Sequence, residues 1–491
     1  MHLKSEISNP PGATALEQER NTVSLQRCAR ALDFARRHFG IADWRPLQAE
    51  AVAADLAGRD SLVVMGTGCG KSLCFQVPAL LRSGLTVVVS PLIALMKDQI
   101  DGLQARGFPV ATIHSHVHHR FESDIAGLAI EGRLRMLYVS PERAVRPDFI
   151  DVLVRSPRLD AFVIDEAHCI SQWGCDFRPA YATLGQLRVR FPKVPIHAFT
   201  ATATPRVREQ IMRSLGFYLP PLQGGIEGGK REPRDSSRAT PPCSEPTGAT
   251  ALEQCDTIIL IGSFDRPELH LAVHAGRRTD RDLIDEVREL QAKHGHGLDR
   301  TPSGIVYCIT RAETERVAEF LRDAGLGASA YHAGLDGMDR TLVQDHFLSG
   351  ELVVVATIAF GMGINKPDVR FVIHWGMPSS VDIYHQEIGR AGRDGHCADC
   401  VMFWHDQDYF TWRDLFESVE STGGPPVTDG KMDALSDMES FCQITQYDQK
   451  LPRCRHAWLR EYFMGEPSTS VRADSPERCS ACDVCVKESS K

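Results

Sequence analysis

The sequence lacks any apolar run long enough to cross a membrane. Nowhere among its 491 residues does a stretch approach about 18 consecutive apolar side chains. Residues 1–20, MHLKSEISNPPGATALEQER, also lack the apolar core of a secretory signal. These two absences exclude a membrane-spanning class, and they predict a cytoplasmic protein with no membrane partner.

An excess of positive charge is missing as well. Lys and Arg total 55 against 64 Asp and Glu, which gives a formal net charge of −9. The charge of the whole chain therefore does not indicate a nucleic-acid partner, and any basic groove has to be local. A disulfide framework is not indicated either, because the 15 cysteines are odd in number and scattered through a long chain.

Short apolar runs alternate with helical patterns in two parts of the chain. The first part has runs rich in Val, Ile and Leu at 61–65, 86–90, 135–140, 161–166 and 195–200. The second part has similar runs at 304–308, 328–332, 352–357, 369–374 and 400–404. Continuous apolar strands with helices between them are typical of a parallel sheet covered on both faces. The sequence thus predicts an α/β fold with two doubly wound domains in tandem.

Composition and pattern divide the chain into five parts. We assign an N-terminal tail (1–25), a first α/β domain (26–218), a flexible insertion (219–255), a second α/β domain (256–410) and a small helical unit (411–491). The insertion is rich in Gly, Pro, Ser and Arg, and such a composition cannot bury enough apolar surface to order itself. The length agrees with this division, because about 150 residues per domain predicts about three domains.

A glycine-rich loop, MGTGCGKS at residues 65–72, follows a predicted strand and precedes a helical pattern. Glycines let backbone N–H groups turn inward around phosphate oxygens, and the helix N-terminus adds its dipole. Lys71 would reach the β- and γ-phosphates, and the Ser72 hydroxyl would ligate Mg²⁺. The match to G-x-x-x-x-G-K-[ST] is imperfect because Met65 stands at the first glycine position. The alternative is a glycine-rich turn before an ordinary helix.

Two carboxylates follow one of the predicted strands, in AFVIDEAHCI at residues 161–170. Ligands of open α/β sheets bind at the carboxyl ends of the strands. Asp165 would hold Mg²⁺ through water, and Glu166 would orient and deprotonate an attacking water. Alone, the pair is also compatible with a polar strand end, but together with the glycine-rich loop it predicts hydrolysis of a nucleoside triphosphate.

A pair of arginines closes the second predicted domain, in YHQEIGRAGRDG at residues 384–395. Arg390 and Arg393 are three residues apart, so they share one face if the segment is helical. A guanidinium presented to a γ-phosphate stabilises the charge of the transition state. The alternative is a solvated basic helix in which the arginines pair with Glu387 and Asp394.

Four cysteines near the end have the spacing C-x₂₄-C-x₂-C-x₂-C: Cys454, Cys479, Cys482 and Cys485. Four thiolates suit tetrahedral Zn²⁺, and a closed set of four is structural rather than catalytic. Four unrelated thiols and an iron–sulfur cluster are the alternatives.

Taken in order, the motifs resemble those of the RecQ family of superfamily 2 DNA helicases. The series reads FGIADWRPLQ, MGTGCGKS, SPLIALMKDQ, YVSPER, DEAH, CISQWGCDFRPAY, FTATAT, SFDRPEL, AYHAGL, ATIAFGMGINKPDVRFVIH and QEIGRAGRDG. The resemblance runs from about residue 34 to residue 485. It implies two RecA-like domains followed by a small helical zinc-binding subdomain.

The resemblance also implies a function. It predicts an ATP-dependent 3′ to 5′ helicase that hydrolyses ATP while it moves on single-stranded DNA and unwinds duplexes, in DNA repair and recombination. The expected partners are single-stranded and forked DNA, together with single-strand-binding or repair proteins. A bacterial, nucleoid-associated location in the cytoplasm follows from the same resemblance.

Family positions carry over onto the nucleotide site residue by residue. Gln48 matches the glutamine that pairs with adenine N6 and N7, and Arg45 braces it. Gln386 joins the two arginines in the catalytic set. The residues expected to cradle the phosphates are Thr67, Gly68, Cys69, Gly70, Lys71 and Ser72.

A second set of positions is expected along the DNA track. Trp173 and Phe177 would stack on bases, and Arg178 would meet phosphates or base faces. Core packing is the alternative for Phe177. Contacts to the phosphate backbone, or else roles as caps and turns, are expected for Ser90, His332, Thr357 and Asn365.

The sequence departs from the family after the cysteines, because many members continue into a winged-helix domain there. That departure leaves open a DNA-stimulated ATPase or translocase that unwinds weakly. A non-catalytic DNA-binding scaffold and an RNA helicase are further alternatives, since recognition of RNA rests on the 2′-OH.

Overall fold

The structure is a computed structural model. It describes residues 15–91, 93–113, 119–171, 178–217, 257–276, 278–296, 301–350, 352–358, 360, 366–421, 427–443, 454–465 and 479–489. The insertion assigned to 219–255 lies outside the described residues. So do three of the expected DNA contacts, Trp173, Phe177 and Asn365.

The first α/β domain is built on a seven-stranded sheet in which every pair is parallel. Its strands are β1 (Ser61–Val64), β2 (Leu85–Val89), β3 (Val110–Ile113), β4 (Met136–Val139), β5 (Leu159–Ile164), β6 (Ile196–Thr200) and β7 (Ile258–Ile261). Their order across the sheet is β3-β4-β2-β5-β6-β1-β7. The central strands β1, β2, β4 and β6 are buried along their whole length, as continuous apolar runs require.

Ten helices belong to the part of the first domain that the structure describes: α1 (Ala15–Phe39), α2 (Gln48–Leu56), α3 (Lys71–Leu81), α4 (Ile93–Gln104), α5 (His119–Ile130), α6 (Pro141–Ala144), α7 (Pro147–Arg155), α8 (Pro179–Ala182), α9 (Gly185–Arg190) and α10 (Pro205–Ser214). A 3₁₀ turn, Ala167–Ile170, follows β5. The helix α3 begins at Lys71, so the glycine-rich loop joins β1 to a helix N-terminus.

The second α/β domain has a six-stranded parallel sheet in the order β10-β11-β9-β12-β13-β8. Its strands are β8 (Leu269–Ala275), β9 (Gly304–Cys308), β10 (Ala328–Tyr331), β11 (Val353–Ala356), β12 (Phe371–Trp375) and β13 (Ala398–Trp404). Its helices are α11 (Asp280–Gly295), α12 (Arg311–Asp323), α13 (Gly337–Ser349) and α14 (Val381–Ile388). Two tandem parallel-sheet domains therefore confirm the predicted fold class.

Two boundaries differ from the sequence-based division. The helix α1 begins at Ala15, inside residues 1–25 that were assigned to a tail. The strand β7 pairs with β1, with Ser61 opposite Ile258, although residues 256–410 were assigned to the second domain. The run at 258–261 was not among the predicted strands, and pairing across the two sheets is not encoded in a short local segment.

A small helical unit completes the chain with α15 (Gln407–Ser421), α16 (Asp429–Gln443), α17 (Arg455–Met464) and α18 (Asp483–Ser489). It covers part of the free edge of β8, where Leu271 N donates to Ala481 O at 3.0 Å. The Arg455 guanidinium is fully buried and donates to both oxygens of Asp483, at 2.7 and 3.1 Å. The Asp483 carboxylate also accepts from Val273 N of β8, at 3.2 Å. A buried ion pair thus fastens this unit to the second sheet.

Within the described residues we find no helix with the length and apolarity that a bilayer span needs.

Candidate active site

A cavity of about 980 Å³ lies between the two α/β domains. It opens at the carboxyl ends of the strands, the edge at which parallel sheets bind ligands. From the first domain, the expected site residues that line it are Arg45, Gln48, Thr67, Gly68, Gly70, Lys71, Ser72, Asp165 and Glu166. From the second domain they are Gln386, Arg390 and Arg393. The fold therefore brings residues more than 300 positions apart to one cleft.

The glycine-rich loop turns between β1 and α3 through two glycines with positive φ. Gly68 has φ +82° and Gly70 has φ +80°, a conformation that costs other residues about 1–2 kcal/mol. The Lys71 ammonium donates back to Met65 O at 3.0 Å, which holds it over the loop. Met65 is 2% exposed, packs in the core and has no positive φ. Methionine therefore fits the position at which the general motif has glycine.

The Gln48 side chain is buried beneath the same loop. Its amide nitrogen donates to Cys69 O at 3.0 Å and to Gly70 O at 3.1 Å. Its amide oxygen accepts from Arg45 N at 2.9 Å. The Arg45 guanidinium donates to Gly68 O at 2.6 Å, so both side chains brace the loop. The Cys69 side chain packs against the core beside the loop.

Two acidic side chains stand at the carboxyl end of β5, where Asp165 N donates to Val89 O at 2.9 Å. Burial, with the charge of Glu166 beside it, raises the pKa of Asp165 to about 7. Burial opposes ionisation of Glu166 as well. The hydrogen bond and charge of His168, with the charges of Lys71 and Arg390, outweigh it and lower the Glu166 pKa. The two neighbouring carboxyl groups are thus driven in opposite directions.

Sequence reasoning assigned no role to His168, which the structure places against Glu166. Its Nδ1 atom lies 2.9 Å from Thr200 Oγ1 and 3.4 Å from Glu166 Oε2. The Thr200 hydroxyl donates to Thr202 O at 3.0 Å, so it accepts from a protonated Nδ1. The position of this histidine, three residues after the first carboxylate at a strand end, is the signal that could have identified it.

The arginine pair follows α14 and faces the first domain. The Arg393 side chain lies against Gly68, and burial lowers the pKa of Arg393 to about 10. The acidic partners proposed for a solvated basic helix are engaged elsewhere. Glu387 pairs with His374 at 2.9 Å, and Asp394 pairs with Arg370. The arginines are therefore directed to the cleft.

Four expected DNA contacts are described, and none of them lines this cavity: Ser90, Arg178, His332 and Thr357. Ser90 is buried after β2, and the half-buried Arg178 donates to Pro91 O at 2.9 Å. His332 is buried after β10, with Nε2 at 3.0 Å from Glu315 Oε1 and Nδ1 accepting from Gly334 N. Thr357 follows β11, and its N–H donates to Tyr331 O at 3.3 Å.

The cysteines 454, 479, 482 and 485 form one cluster, although the chain separates the first from the others. Their sulfur atoms all lie within 4.8 Å of one another. A tetrahedral Zn²⁺ site with Zn–S bonds of about 2.3 Å separates its sulfurs by about 3.8 Å, so the cluster can bind zinc. The thiols at 482 and 485 are buried, as a closed structural site requires.

Comparison with known proteins matches both α/β domains to helicase families. The family described as DEAD/DEAH box helicase matches residues 45–211. The family described as helicase conserved C-terminal domain matches residues 285–395. Every expected site residue that lines the cleft falls within one of the two matches.

Curated relatives align with most of the chain. It is 38% identical over 460 residues to ATP-dependent DNA helicase RecQ of Pasteurella multocida, covering 93% of this chain and 62% of the relative. It is 37% identical over 457 residues to the protein of the same name from Haemophilus influenzae, covering 93% and 63%. With mouse ATP-dependent DNA helicase Q5 the identity is 36% over 495 residues, covering 98% and 44%. The chain thus spans less than two thirds of the length of these relatives.

Solved structures share the fold at low sequence identity. Dbp5 of S. cerevisiae bound to RNA and ADP BeF3 has a TM-score of 0.54 and 16% identity, covering 84% of this chain and 96% of that one. Lhr of Mycobacterium smegmatis bound to ssDNA and AMP-PNP has a TM-score of 0.50 and 20% identity, covering 83% and 52%. These solved structures show the fold alone. The two matched helicase domains and the curated relatives show that the chain belongs to the RecQ family of superfamily 2 helicases.

Proposed function

We propose that this protein is an ATP-dependent DNA helicase. It couples ATP hydrolysis in the cleft to 3′ to 5′ movement on single-stranded DNA and to the unwinding of forked duplexes. The observation that carries the proposal is the shared cavity, in which Lys71 and the acidic pair of one domain meet the arginine pair of the other. The RecQ relatives support unwinding and do not favour a translocase that unwinds weakly.

ATP binds with its phosphates on the glycine-rich loop. Backbone N–H groups of the loop and the N-terminus of α3 hold the phosphate oxygens, and Lys71 neutralises the β- and γ-phosphates. Adenine lies beside Gln48 and Arg45. Because the Gln48 amide already bonds to the loop, occupation of the base site is sensed by the loop itself.

Oxygen donors at the end of the loop suit Mg²⁺, which prefers hard oxygen ligands. The Ser72 hydroxyl and the Asp165 carboxylate would hold it. A divalent cation fits this site because burial beside Glu166 disfavours the ionised form of Asp165, and a nearby positive charge offsets that cost. When bound, Mg²⁺ neutralises charge on the phosphates and on the departing diphosphate.

Hydrolysis requires a water oriented on the γ-phosphorus. The ionised Glu166, held by His168, orients this water and takes its proton as the new P–O bond forms and the bond to the β-phosphate oxygen breaks. Arg390 and Arg393 stabilise the charge on the transferred phosphoryl group, and Gln386 bridges from α14 to Thr202 at 3.3 Å. Product release frees the arginines, and the domains separate.

Opening and closing of the cleft moves the DNA. The proposed contacts Ser90 and Arg178 lie in the first domain, and His332 and Thr357 lie in the second. A change in domain separation therefore shifts the two sets against each other along the strand. Phosphate contacts of this kind position a strand without reading its sequence.

We also propose that the cysteine cluster holds zinc. Sulfur atoms within 4.8 Å of one another suit one shared ion better than a multi-iron cluster, whose own atoms would separate the thiolates. The role of the zinc is to hold α17 and α18 together.

As the cellular setting of the protein we propose DNA repair and recombination at the bacterial nucleoid, with single-strand-binding or repair proteins as partners. Deletion of the gene should then raise sensitivity to DNA damage.

The central test compares ATP hydrolysis with and without an oligo-dT strand, at equal Mg²⁺. We expect strong stimulation by oligo-dT, weaker stimulation by oligo-U, and unwinding of a fork with a 3′ tail in preference to one with a 5′ tail. Hydrolysis that does not respond to DNA would contradict the proposal. Stimulation by RNA alone would favour an RNA helicase instead.

A further inference from the structure

A tyrosine of the helical unit contacts the catalytic helix of the second domain. Tyr462, on α17, donates its hydroxyl to Asp382 Oδ2 at 3.2 Å, in the first turn of α14. The Thr202 hydroxyl, in the loop after β6 of the first domain, acts on the same carboxylate and lowers its pKa. Gln386, one turn further along α14, donates to Thr202 Oγ1 at 3.3 Å. The helix α14 of the second domain thus contacts the small helical unit through Asp382 and the first domain through Gln386.

From Thr202 the hydrogen bonds continue to the proposed catalytic base. The Thr200 hydroxyl donates to Thr202 O at 3.0 Å and accepts from His168 Nδ1 at 2.9 Å. The same Nδ1 atom is 3.4 Å from Glu166 Oε2. A polar path therefore runs from Tyr462 in the small helical unit to Glu166.

The helix α17 is also fixed to the first domain beside this path. The Arg208 guanidinium of α10 donates to Phe463 O and to Met464 O, both at 3.2 Å. At the end of α17, Gly465 has φ +77°, and a Cβ there would overlap the ring of Pro205. Both contacts follow Tyr462 directly. The helix therefore sits on the seam between the two α/β domains.

The chemistry of Asp382 makes it sensitive to both partners. It is 5% exposed, and burial raises its pKa to about 6, although the charge of His168 and the hydroxyls of Tyr462 and Thr202 act in the opposite direction. A buried carboxylate needs such donors, because an unpaired charge in the interior is costly. Loss of the Tyr462 hydroxyl therefore disturbs the interaction of Asp382 with Thr202.

We propose that Asp382 is a positioning residue through which the docking of α17 sets the orientation of Glu166. Tyr462 holds Asp382 in the first turn of α14, and Gln386 of the same helix holds Thr202. Thr202, Thr200 and His168 then hold the base against the attacking water. The inference rests on the proposed hydrolysis of ATP in this cleft. The small helical unit, through α17, then controls the rate of the chemical step and not the affinity for ATP.

The test compares three variants of the full chain. Tyr462→Phe removes one hydroxyl and keeps the ring that stacks on Trp458 at 5.4 Å. Asp382→Asn removes the charge and keeps the shape. Tyr384→Phe is the matched control, because that buried hydroxyl, on the same helix as Asp382, has no hydrogen-bond partner among the described residues.

We expect Tyr462→Phe and Asp382→Asn to lower kcat for DNA-stimulated ATP hydrolysis about tenfold, with KM for ATP within about twofold of wild type. Zinc content and Tm should stay at wild-type values in Tyr462→Phe. The double variant should be no slower than the slower single variant, because both changes interrupt one path. The control variant should hydrolyse ATP at the wild-type rate.

Two results would overturn the inference. One is a Tyr462→Phe variant with kcat equal to that of the control, and the other is a loss of kcat that appears only together with loss of zinc or of Tm. The wild-type protein is measured first. If it shows no DNA-dependent hydrolysis, the proposed function itself fails, and that failure is distinct from one seen only among the variants.

Discussion

The aliphatic part of the Arg393 side chain lies on Gly68, so the arginine-bearing segment of one domain rests on the phosphate loop of the other. A Cβ added to Gly68 would lie 3.3 Å from Arg393 Cγ. The glycine also has φ +82°. Two independent constraints, backbone conformation and close approach, therefore require glycine at this point.

Replacement of Gly68 by alanine should lower ATP hydrolysis at least about tenfold. The new methyl group pushes Arg393 away, and the positive φ costs about 1–2 kcal/mol for alanine. The matched control is Gly107→Ala, because Gly107 has φ +80° but nothing within 4 Å of an added Cβ. Equal loss of ATPase activity in both variants would show that strain alone, without the contact to Arg393, is responsible.

The variants Lys71→Ala and Glu166→Gln should each abolish DNA-stimulated ATP hydrolysis without unfolding the protein. The first removes the charge over the phosphate loop, and the second removes the base while keeping the size of the side chain. Steady-state turnover and circular dichroism of the purified variants measure both properties. As a control, Glu131→Gln changes an exposed carboxylate outside the cleft. Turnover retained in either folded catalytic variant would disprove the assignment.

Removal of the proposed zinc should destabilise the second domain as well as the small helical unit. In Cys482→Ser we expect loss of bound zinc and a decrease in Tm of about 5 °C or more, because Cys482 lies next to the backbone that pairs with β8. The control is Cys397→Ser, which changes an exposed cysteine outside the cluster. A Cys482→Ser protein that keeps stoichiometric zinc would contradict the four-cysteine site.

Stability should depend on pH through Glu286. Burial, with the charges of Glu289 and Asp399, raises the pKa of Glu286 to about 7 from an ordinary value of 4.5. The folded protein therefore binds this proton more tightly than the unfolded chain, and stability from this group is lost as the pH rises from about 4.5 through about 7. Glutamine does not ionise, so Glu286→Gln avoids the loss of stability that the wild type undergoes at high pH. The variant should therefore have a higher Tm than wild type at pH 8.

The gain in Tm from Glu286→Gln should shrink as the pH falls and vanish near pH 4.5. Thermal unfolding at several pH values measures it, with the exposed Glu319→Gln as a control that should show no such trend. A gain that grows towards acid pH would contradict the raised pKa.

Periodicity and motif order predicted the two sheets and the cleft because both are encoded locally. Each predicted apolar run marks a strand, and the glycine-rich loop and the acidic pair each follow a strand at the same sheet edge. The strands β3, β7 and β8 were not among the predicted runs, and the pairing of β7 with the first sheet depends on the whole fold. The path from Tyr462 to Glu166 could not be predicted either, because it joins residues almost 300 positions apart that share no pattern.

The residues beside the cysteine cluster cover part of the exposed edge of β8. A strand at the border of a sheet offers a row of backbone donors and acceptors to any other chain that approaches it. Here Ala481 and Asp483 occupy part of that row. The proposed zinc would therefore act against self-association, and zinc-depleted protein should form oligomers joined strand to strand.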